Sequence, residues 1–240
     1  MRRSEMNSWF TVSPLNYIGG KARILDQLLP VFPEHISTFV DLFCGGCNVG
    51  INTQADNYIY NDGNRELVGL LKMFLRLNTK TILKRMDEIV EHYGFSKTKD
   101  HNFAYYGGNP MKGVSRYNKE PFLLLRQDYN NSPRSNQHYI MLYALVVFGF
   151  NNQMRFNYKG EYNLPVGKRY YREALFMIVS HDLICSYHHL SRVWMSSAQR
   201  WSLGKGWPLQ AFTWVQGWGA SVQKGWLAGR PRGMNARVVM

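Results

Sequence analysis

The sequence contains few cysteines. Cys44, Cys47 and Cys185 are the three present in 240 residues. This small, odd number argues against a disulfide framework and favours a reducing compartment, so we expect a cytoplasmic protein. Cys44 and Cys47 form one C-x-x-C pattern, but a structural zinc site needs further ligands at close spacing. No second such pair exists, and we therefore expect no metal.

Long apolar segments are also lacking. The longest apolar run, residues 140–150, is too short to cross a bilayer. The first ten residues, MRRSEMNSWF, carry charges but lack the apolar core of a signal peptide. No basic amphipathic helix with a clear apolar face is recognisable, which disfavours a membrane surface as the partner.

Acidic residues are scarce relative to basic ones. The chain has 16 Asp and Glu residues against 29 Lys and Arg residues, a net charge of +13. A chain this basic is typical of proteins that bind a polyanion, of which nucleic acid is the commonest. Hydrophobic residues make up 45% of the chain. This content suits one large domain, or one domain with a sizeable insertion, around a real core.

Beyond Asp182 the composition changes. No acidic residue follows, and six of the seven tryptophans lie there. Neither a period of 2 nor one of 3.6 holds for long, so strands that would complete a parallel sheet are not recognisable. We interpret this segment either as a basic, tryptophan-rich appendage or as the product of a reading-frame shift, and we favour the second.

The most informative stretch is Thr38 to Asn52, reading TFVDLFCGGCNVGIN. A short β-favouring run ends at Asp41, and Gly45 and Gly46 follow before an apolar segment. This order predicts a strand, a glycine turn and a helix, whose N-terminus would offer free N–H groups. The dinucleotide pattern G-x-G-x-x-G is absent, which disfavours a pyrophosphate site.

A second β-favouring run, residues 58–61, ends in Asp62. An acidic residue at this place suits the hydroxyl groups of a ribose. The alternative is a plain βαβ unit with a solvated aspartate, and these features alone leave both interpretations open.

Helical periodicity predicts five helices, at residues 22–29, 65–77, 79–92, 121–129 and 138–148. Residues 94–120, rich in Gly, Asn, Lys and Tyr, predict a loop or insertion. Residues 149–170 predict a polar and aromatic loop or hairpin that carries Arg155, Lys159, Lys168 and Arg169. Basic residues interleaved with aromatic ones suit nucleic acid, since cations take phosphates and rings stack on bases. A hairpin with merely solvated charges is the alternative.

Four stretches occur in a familiar order. They read NYIGGK at 16–21, DLFCGG at 41–46, NDGN at 61–64 and RFNYKGEYNLPVG at 155–167. Together they resemble the Dam-type family of adenine-N6 DNA methyltransferases, over roughly residues 13–170. Each motif alone is moderately specific, whereas four in the family's order and spacing are specific.

The resemblance implies an α/β fold, a Rossmann-like S-adenosylmethionine-dependent methyltransferase sheet with an inserted α-helical target-recognition domain. It divides the chain into residues 1–71, the N-terminal part of the methyltransferase domain, residues 72–169, the helical DNA-binding insertion, and the atypical residues 170–240. The partner implied is double-stranded DNA, with adenine in GATC as the usual target and base flipping as the route. A phage or prophage origin is compatible with this resemblance.

The resemblance also implies site residues. Lys21 would meet the carboxylate of S-adenosyl-L-methionine and Asp62 its ribose hydroxyls. The full set of implied cofactor-binding residues is Tyr17, Lys21, Asp41, Gly45, Gly46 and Asp62.

For DNA, Arg155 matches the arginine that reads a guanine through a two-pronged hydrogen bond. Phe150 and Asn151 match residues that enter the duplex beside the extruded base, and Pro165 matches a further base contact.

The family's catalytic D-P-P-Y motif is not found, because no two prolines are adjacent in the sequence. The catalytic residues are therefore unknown. Three hypotheses follow: an adenine-N6 DNA methyltransferase or its truncated descendant, a non-catalytic DNA-binding protein that keeps the fold, or an unrelated cofactor-binding enzyme with an incidentally basic surface.

Overall fold

The computed structural model describes residues 10–97, 100–109, 111 and 113–168, together with two short strands nearer the C-terminus. Four strands form one parallel sheet: β1 Thr38–Asp41, β2 Asn57–Asn61, β3 Val193–Ser196 and β4 Val238–Val239. Their order across the sheet is β3-β2-β1-β4. Because all pairs are parallel, the carboxyl ends of β1 and β2 meet at one edge.

The two strands expected from the sequence, β1 and β2, are confirmed. No strand is recognisable in the sequence beyond residue 182, whereas the structure has β3 and β4 there, and these flank β2 and β1. Strand β3 has only four residues and strand β4 only two. Runs this short carry no readable periodicity, and their place is set by hydrogen bonding to a neighbouring strand.

The five expected helices are present in the described part of the chain, with shifted ends. They are α1 Leu25–Leu28, α2 Arg65–Arg76, α3 Thr79–Tyr93, α4 Lys119–Asn131 and α5 Asn136–Phe148. The first is shorter than expected, because 3₁₀ turns at Ala22–Ile24 and Leu29–Val31 occupy its flanks.

Polar residues before three of these helices fix where they begin. The side chains of Asn64, Asn78 and Ser135 accept hydrogen bonds from backbone N–H groups in the first turns of α2, α3 and α5. These groups would otherwise lack a partner within the helix. Gly94 ends α3 in the left-handed conformation, with φ of 76°.

Helix α5 lies at the centre of the helical part. Nearly every residue from Ile140 to Phe148 is buried, and α2, α3 and α4 all pack against this helix. One cluster of buried hydrophobic side chains contains both strand residues such as Phe39 and α5 residues such as Leu145. The division into residues 1–71, 72–169 and 170–240 stays a prediction.

A buried carboxylate joins α2 to the other helices. Arg134 donates to Glu66 Oε1 at 2.9 and 2.6 Å, and His138 Nε2 lies 3.2 Å from Glu66 Oε2. Burial raises the pKa of Glu66, but the hydrogen bonds from His138 and Arg134 outweigh it, and the net pKa is lowered. Glu66 is therefore ionised and is paired with Arg134 and His138 in a position largely shielded from solvent.

The segment after Gly46 differs from the expectation. The sequence predicts a helix there, but the structure has only a 3₁₀ turn, Gly50–Asn52. Asn52 Nδ2 donates to the carbonyl of Asn48, and Thr53 Oγ1 donates to that of Val49. Such side-chain bonds compete with the backbone ladder of a helix, which explains why an apolar run did not become one.

Residues 149–168 form the expected hairpin. Antiparallel bridges join Gly149 to Val166 and Phe156 to Tyr162. The tip turns at Asn157, whose carbonyl accepts from the Gly160 N–H group. Among the described residues, no helix combines the length and the apolar character needed to cross a membrane.

Candidate functional site

The turn after β1 is fastened to the end of β2. The Gly45 N–H group donates to Asp62 Oδ2 at 3.0 Å, and the Asn64 N–H group donates to Asp62 Oδ1 at 2.9 Å. The Cys44 N–H group also donates to the Asn61 carbonyl at 2.9 Å. Asp62 therefore holds the glycine turn in place, and each of its oxygens keeps a lone pair for another donor.

Asp41 ends β1 and is buried. The pKa of Asp41 is raised to about 7, chiefly by burial and also by the nearby Asp62, although the Phe43 N–H group and Lys21 lower it. The carboxyl group is therefore close to half-ionised near neutral pH. A cation placed beside it would favour the ionised form.

Tyr17 covers the glycine turn from the N-terminal side. A Cβ atom on Gly45 would lie 3.0 Å from Tyr17 Cδ1, and Gly45 has φ of +50°, so glycine suits this position on both counts. A Cβ atom on Gly46 would lie 2.9 Å from Ser13 Oγ. The tyrosine ring and the Ser13 segment thus pack directly on the two glycines.

Lys21 lies on the rim of this region and is exposed. Its Nζ donates to the Gly19 carbonyl at 2.9 Å. An ammonium group has three donors, so this bond leaves two for an anionic partner. The structure thus joins Tyr17, Gly45 and Asp62 by direct contact or a hydrogen bond. Gly46 lies in the same turn, and Asp41 ends β1, close enough to Asp62 and Lys21 for both charges to affect its pKa.

The hairpin presents the expected DNA-binding residues. Arg155 Nε donates to Asn163 Oδ1 at 2.9 Å, and one Nη donates to the Asn163 carbonyl at 3.2 Å. The Phe150 N–H group donates to the Pro165 carbonyl at 2.9 Å, which joins the two ends of the hairpin. Phe150 is 47% exposed, and Asn151 has a left-handed φ of 55°.

Two asparagines connect this hairpin to the region around the glycine turn. Asn16 Nδ2 donates to the Asn151 carbonyl at 2.8 Å across 135 positions of sequence. Asn64 Nδ2 lies 3.5 Å from the Tyr17 hydroxyl and 3.8 Å from Met154 Sδ. The two expected groups of site residues are therefore neighbours, and both contact the Asn16–Tyr17 segment.

Sequence reasoning missed three asparagines in these contacts. Asn64 carries a signal, because an asparagine directly before a helical pattern is a preferred helix cap. Asn163, which holds the guanidinium group of Arg155, and Asn16, which bonds the hairpin, carry no such signal. Their partners are set by how the hairpin docks.

Other expected features cannot be placed. Arg169 and Cys185 lie outside the described residues, as does most of the segment where the family places D-P-P-Y. Cys44 and Cys47 are free and buried. Within the ranges that the structure describes, no three His, Cys, Asp or Glu side chains are grouped as metal ligands.

Comparison with known families gives one clear match. Residues 17–192 match the family described as D12 class N6 adenine-specific DNA methyltransferase. The matched range contains the glycine turn, both aspartates and the whole hairpin.

Curated relatives agree with this family. Modification methylase StsI of Streptococcus sanguinis is 38% identical over 65% of this chain and 20% of its own length. Type II methyltransferase M.FokI of Planomicrobium okeanokoites is 37% identical over 65% of this chain and 21% of its own length. The DNA adenine methylase of Escherichia coli (strain K12) is 26% identical over 67% of this chain and 50% of its own length.

The chain thus matches about a fifth to a half of the length of these relatives. The family match covers most of the chain, including the strand ends and the hairpin described above. The chain therefore belongs to the D12 class N6 adenine-specific DNA methyltransferase family.

Proposed function

We propose that this chain binds S-adenosylmethionine where β1 and β2 end and methylates N6 of adenine in duplex DNA, within GATC. The observation that carries the proposal is the shared Asn16–Tyr17 segment. Tyr17 packs on the glycine turn while Asn16 bonds the hairpin at Asn151. A methyl donor held at one side would then lie next to DNA held at the other, and proximity is what a transfer reaction needs.

The residues present fit the cofactor chemically. Asp62 has spare acceptor positions for two ribose hydroxyls, and Lys21 has spare donors for a carboxylate. Asp41 is a buried carboxyl group whose ionisation a cationic sulfonium or ammonium would favour. When bound, S-adenosylmethionine supplies an electrophilic methyl group. The chain's part is to hold it and to exclude water from the turn.

The hairpin would read and open the DNA. Arg155 is held by Asn163 through one edge of its guanidinium group, which limits its freedom before binding. A pre-positioned arginine suits the O6 and N7 atoms of a guanine. Phe150, half exposed beside Asn151, suits the space that a flipped adenine leaves.

Chemistry at adenine makes a further demand. The lone pair of the N6 amine is delocalised into the ring, so acceptors for its N–H groups and a stacked aromatic ring would have to raise its reactivity. The family's D-P-P-Y motif meets this demand, and the sequence lacks adjacent prolines altogether. This specific absence favours a second candidate function, a catalytically inactive remnant that binds DNA and cofactor.

Transfer of tritium from labelled S-adenosylmethionine to DNA separates the two. Incorporation into GATC duplexes, but not into duplexes with the same bases in scrambled order, supports the methyltransferase. Binding that prefers GATC without incorporation supports the inactive remnant. Equal binding to both duplexes contradicts the role proposed for Arg155, and no affinity for the cofactor or its demethylated product contradicts both candidates.

A further inference from the structure

The loop between α3 and α4 carries an aromatic cluster that the proposed function does not use. The rings of His101 and Tyr105 are stacked with centroids 3.9 Å apart. Tyr106 meets Tyr105 edge-on at 5.0 Å and Tyr117 at 4.7 Å. Tyr106 is buried, whereas Tyr105 is 66% exposed and Tyr117 is 43% exposed. The loop therefore buries one ring and presents others to solvent.

Buried hydrogen bonds join the two ends of this loop. The Ser96 N–H group donates to Asn118 Oδ1 at 2.8 Å, and Asn118 Nδ2 donates to Ser96 Oγ at 3.0 Å. Both residues are fully buried. Within the loop, the Tyr106 hydroxyl accepts from the Lys97 N–H group and donates to the Lys97 carbonyl. The exposed ring of Tyr105 therefore packs against a buried tyrosine whose hydroxyl is hydrogen-bonded to the backbone of Lys97.

The same loop lies against the end of the DNA-reading hairpin. The Val114 N–H group donates to the Lys168 carbonyl at 3.4 Å. A Cβ atom on Gly113, whose φ is +66°, would lie only 2.0 Å from the Lys168 carbonyl oxygen, so the approach requires glycine. Lys168 follows Pro165 by three residues, a reach of roughly 10 Å. The loop that carries the aromatic cluster therefore contacts the C-terminal end of the hairpin proposed to bind DNA.

We propose that Tyr105 and Arg116 contact the sugar–phosphate backbone of the duplex beyond the recognised site. Arg116 in the loop, Lys119 at the start of α4 and Lys168 at the end of the hairpin are exposed cations. They outnumber the exposed carboxylates of Asp100 and Glu120 in the same segments, which favours a polyanion over an apolar protein partner. Tyrosine and arginine are common donors to phosphate and sugar, and such contacts position a protein without reading sequence. The inference rests on the proposed function, because it presumes that the hairpin holds DNA.

Binding to duplexes of two lengths tests the inference with the full chain. The short duplex ends about three base pairs beyond the GATC site, and the long one extends by about one further helical turn, roughly ten base pairs. The variants are Tyr105→Ala and Arg116→Ala. Lys84→Ala, which removes an exposed cation from α3, is the matched control. Thermal unfolding of each variant checks that the fold is kept.

We expect the wild-type chain to bind the long duplex more tightly than the short one. Each loop variant should lose about fivefold in affinity for the long duplex and little for the short one. Arg116→Ala should also reduce the salt dependence, log K against log salt, by about 0.9. Lys84→Ala should change neither the affinity for the duplexes nor its salt dependence.

Two results overturn the inference. If the wild-type chain binds the long duplex and both loop variants match it at each length, the loop does not contact DNA and the proposed function stands. If the wild-type chain binds neither duplex, the proposed function fails together with the inference. The arginine variant keeps the test decisive even if Tyr105→Ala unfolds, because Arg116 is an exposed side chain.

Discussion

At the scale of single residues, Asp41 and Asp62 have the same chemical group and opposite tasks. Asp62 accepts backbone N–H groups from Gly45 and Asn64 and thereby holds the turn. Asp41 is buried at the end of β1, and its pKa is raised to about 7 chiefly by burial. One carboxylate thus organises the loop, whereas the other stays short of compensating charge, which is where a cationic ligand would stabilise it most.

The raised pKa of Asp41 predicts a pH-dependent stability. Between about pH 4 and pH 7, the folded protein binds a proton that the unfolded chain has released. Wild-type stability therefore falls across this window relative to Asp41→Asn, by up to about 4 kcal/mol. We expect the free energy of unfolding of Asp41→Asn minus that of the wild type to rise from pH 4 to pH 7 and to level off above it.

Urea denaturation of both proteins at a series of pH values measures this difference. A difference that is flat across the window would show that Asp41 ionises as freely in the folded chain as in the unfolded one.

At the scale of elements, the hairpin 149–168 is the part of the structure that we propose meets DNA. The hairpin holds its arginine through Asn163 rather than through an acidic residue. An amide accepts one edge of the guanidinium group without neutralising its charge, so the cation stays available for a base or a phosphate.

This arrangement predicts graded effects on sequence discrimination. Arg155→Ala should reduce the preference for GATC over a scrambled duplex by about tenfold, on the scale of one lost two-pronged contact to a base. Asn163→Ala should give a smaller loss, because the arginine remains but is less well held.

Competition binding at one fixed salt concentration reports the preference, and Lys84→Ala again serves as the control. If Arg155→Ala weakened binding to both duplexes equally, the arginine would be a phosphate contact and not a base reader.

In the helical part, the buried Glu66 forms a cluster with Arg134 and His138. Replacing Glu66 with Gln would leave Arg134 and His138 without their charged partner, at a cost of about 2 kcal/mol at pH 7. The pKa of Glu66 is lowered in the folded state, so its contribution is fully present above the ordinary value of 4.5 and is lost as the pH falls below it.

The exposed pair of Lys84 and Glu88 on α3 gives the matched control. Glu88→Gln should change stability by less than about 0.5 kcal/mol. Chemical denaturation of both variants at pH 7 and at acidic pH measures these changes in stability. If Glu66→Gln lost as little stability as Glu88→Gln at pH 7, the stabilising role given to Glu66 would be wrong.

The sequence predicted the elements better than their connections. Helices α2 to α5 were found because apolar residues recur at helical spacing, and β1 and β2 because each β-favouring run ends at a polar residue. The prediction of a helix after Gly46 was wrong, because the side chains of Asn52 and Thr53 donate hydrogen bonds to nearby backbone carbonyls. The roles of Asn16 and Asn163 could not be predicted, because their partners lie on segments brought together only by folding.

At the scale of the whole molecule, the Asn16–Tyr17 segment joins the region around the glycine turn to the hairpin. The buried cluster runs from the strands into α5, and the Asn16–Tyr17 segment touches both functional groups. Two short strands from the C-terminal segment flank β1 and β2 in the sheet. The unusual composition of that segment and the absence of a D-P-P-Y motif lead us to expect a reading-frame shift.

The coding DNA provides that test. If a reading-frame shift produced the segment, another frame downstream of the hairpin should encode Asp-Pro-Pro-Tyr. The shifted frame should also restore acidic residues and a sequence similar to the relatives. Absence of the motif from every frame would favour an appendage or a true variant.

Calorimetric titration of the full chain with S-adenosylmethionine tests whether the chain binds this cofactor where β1 and β2 end. We predict saturable binding with one site per chain, weakened about tenfold or more in Asp62→Ala, where charged hydrogen bonds are lost. Asp56→Ala, an exposed aspartate just before β2, should bind as the wild type does. No heat of binding for either the cofactor or its demethylated product to the folded wild-type chain would contradict the account.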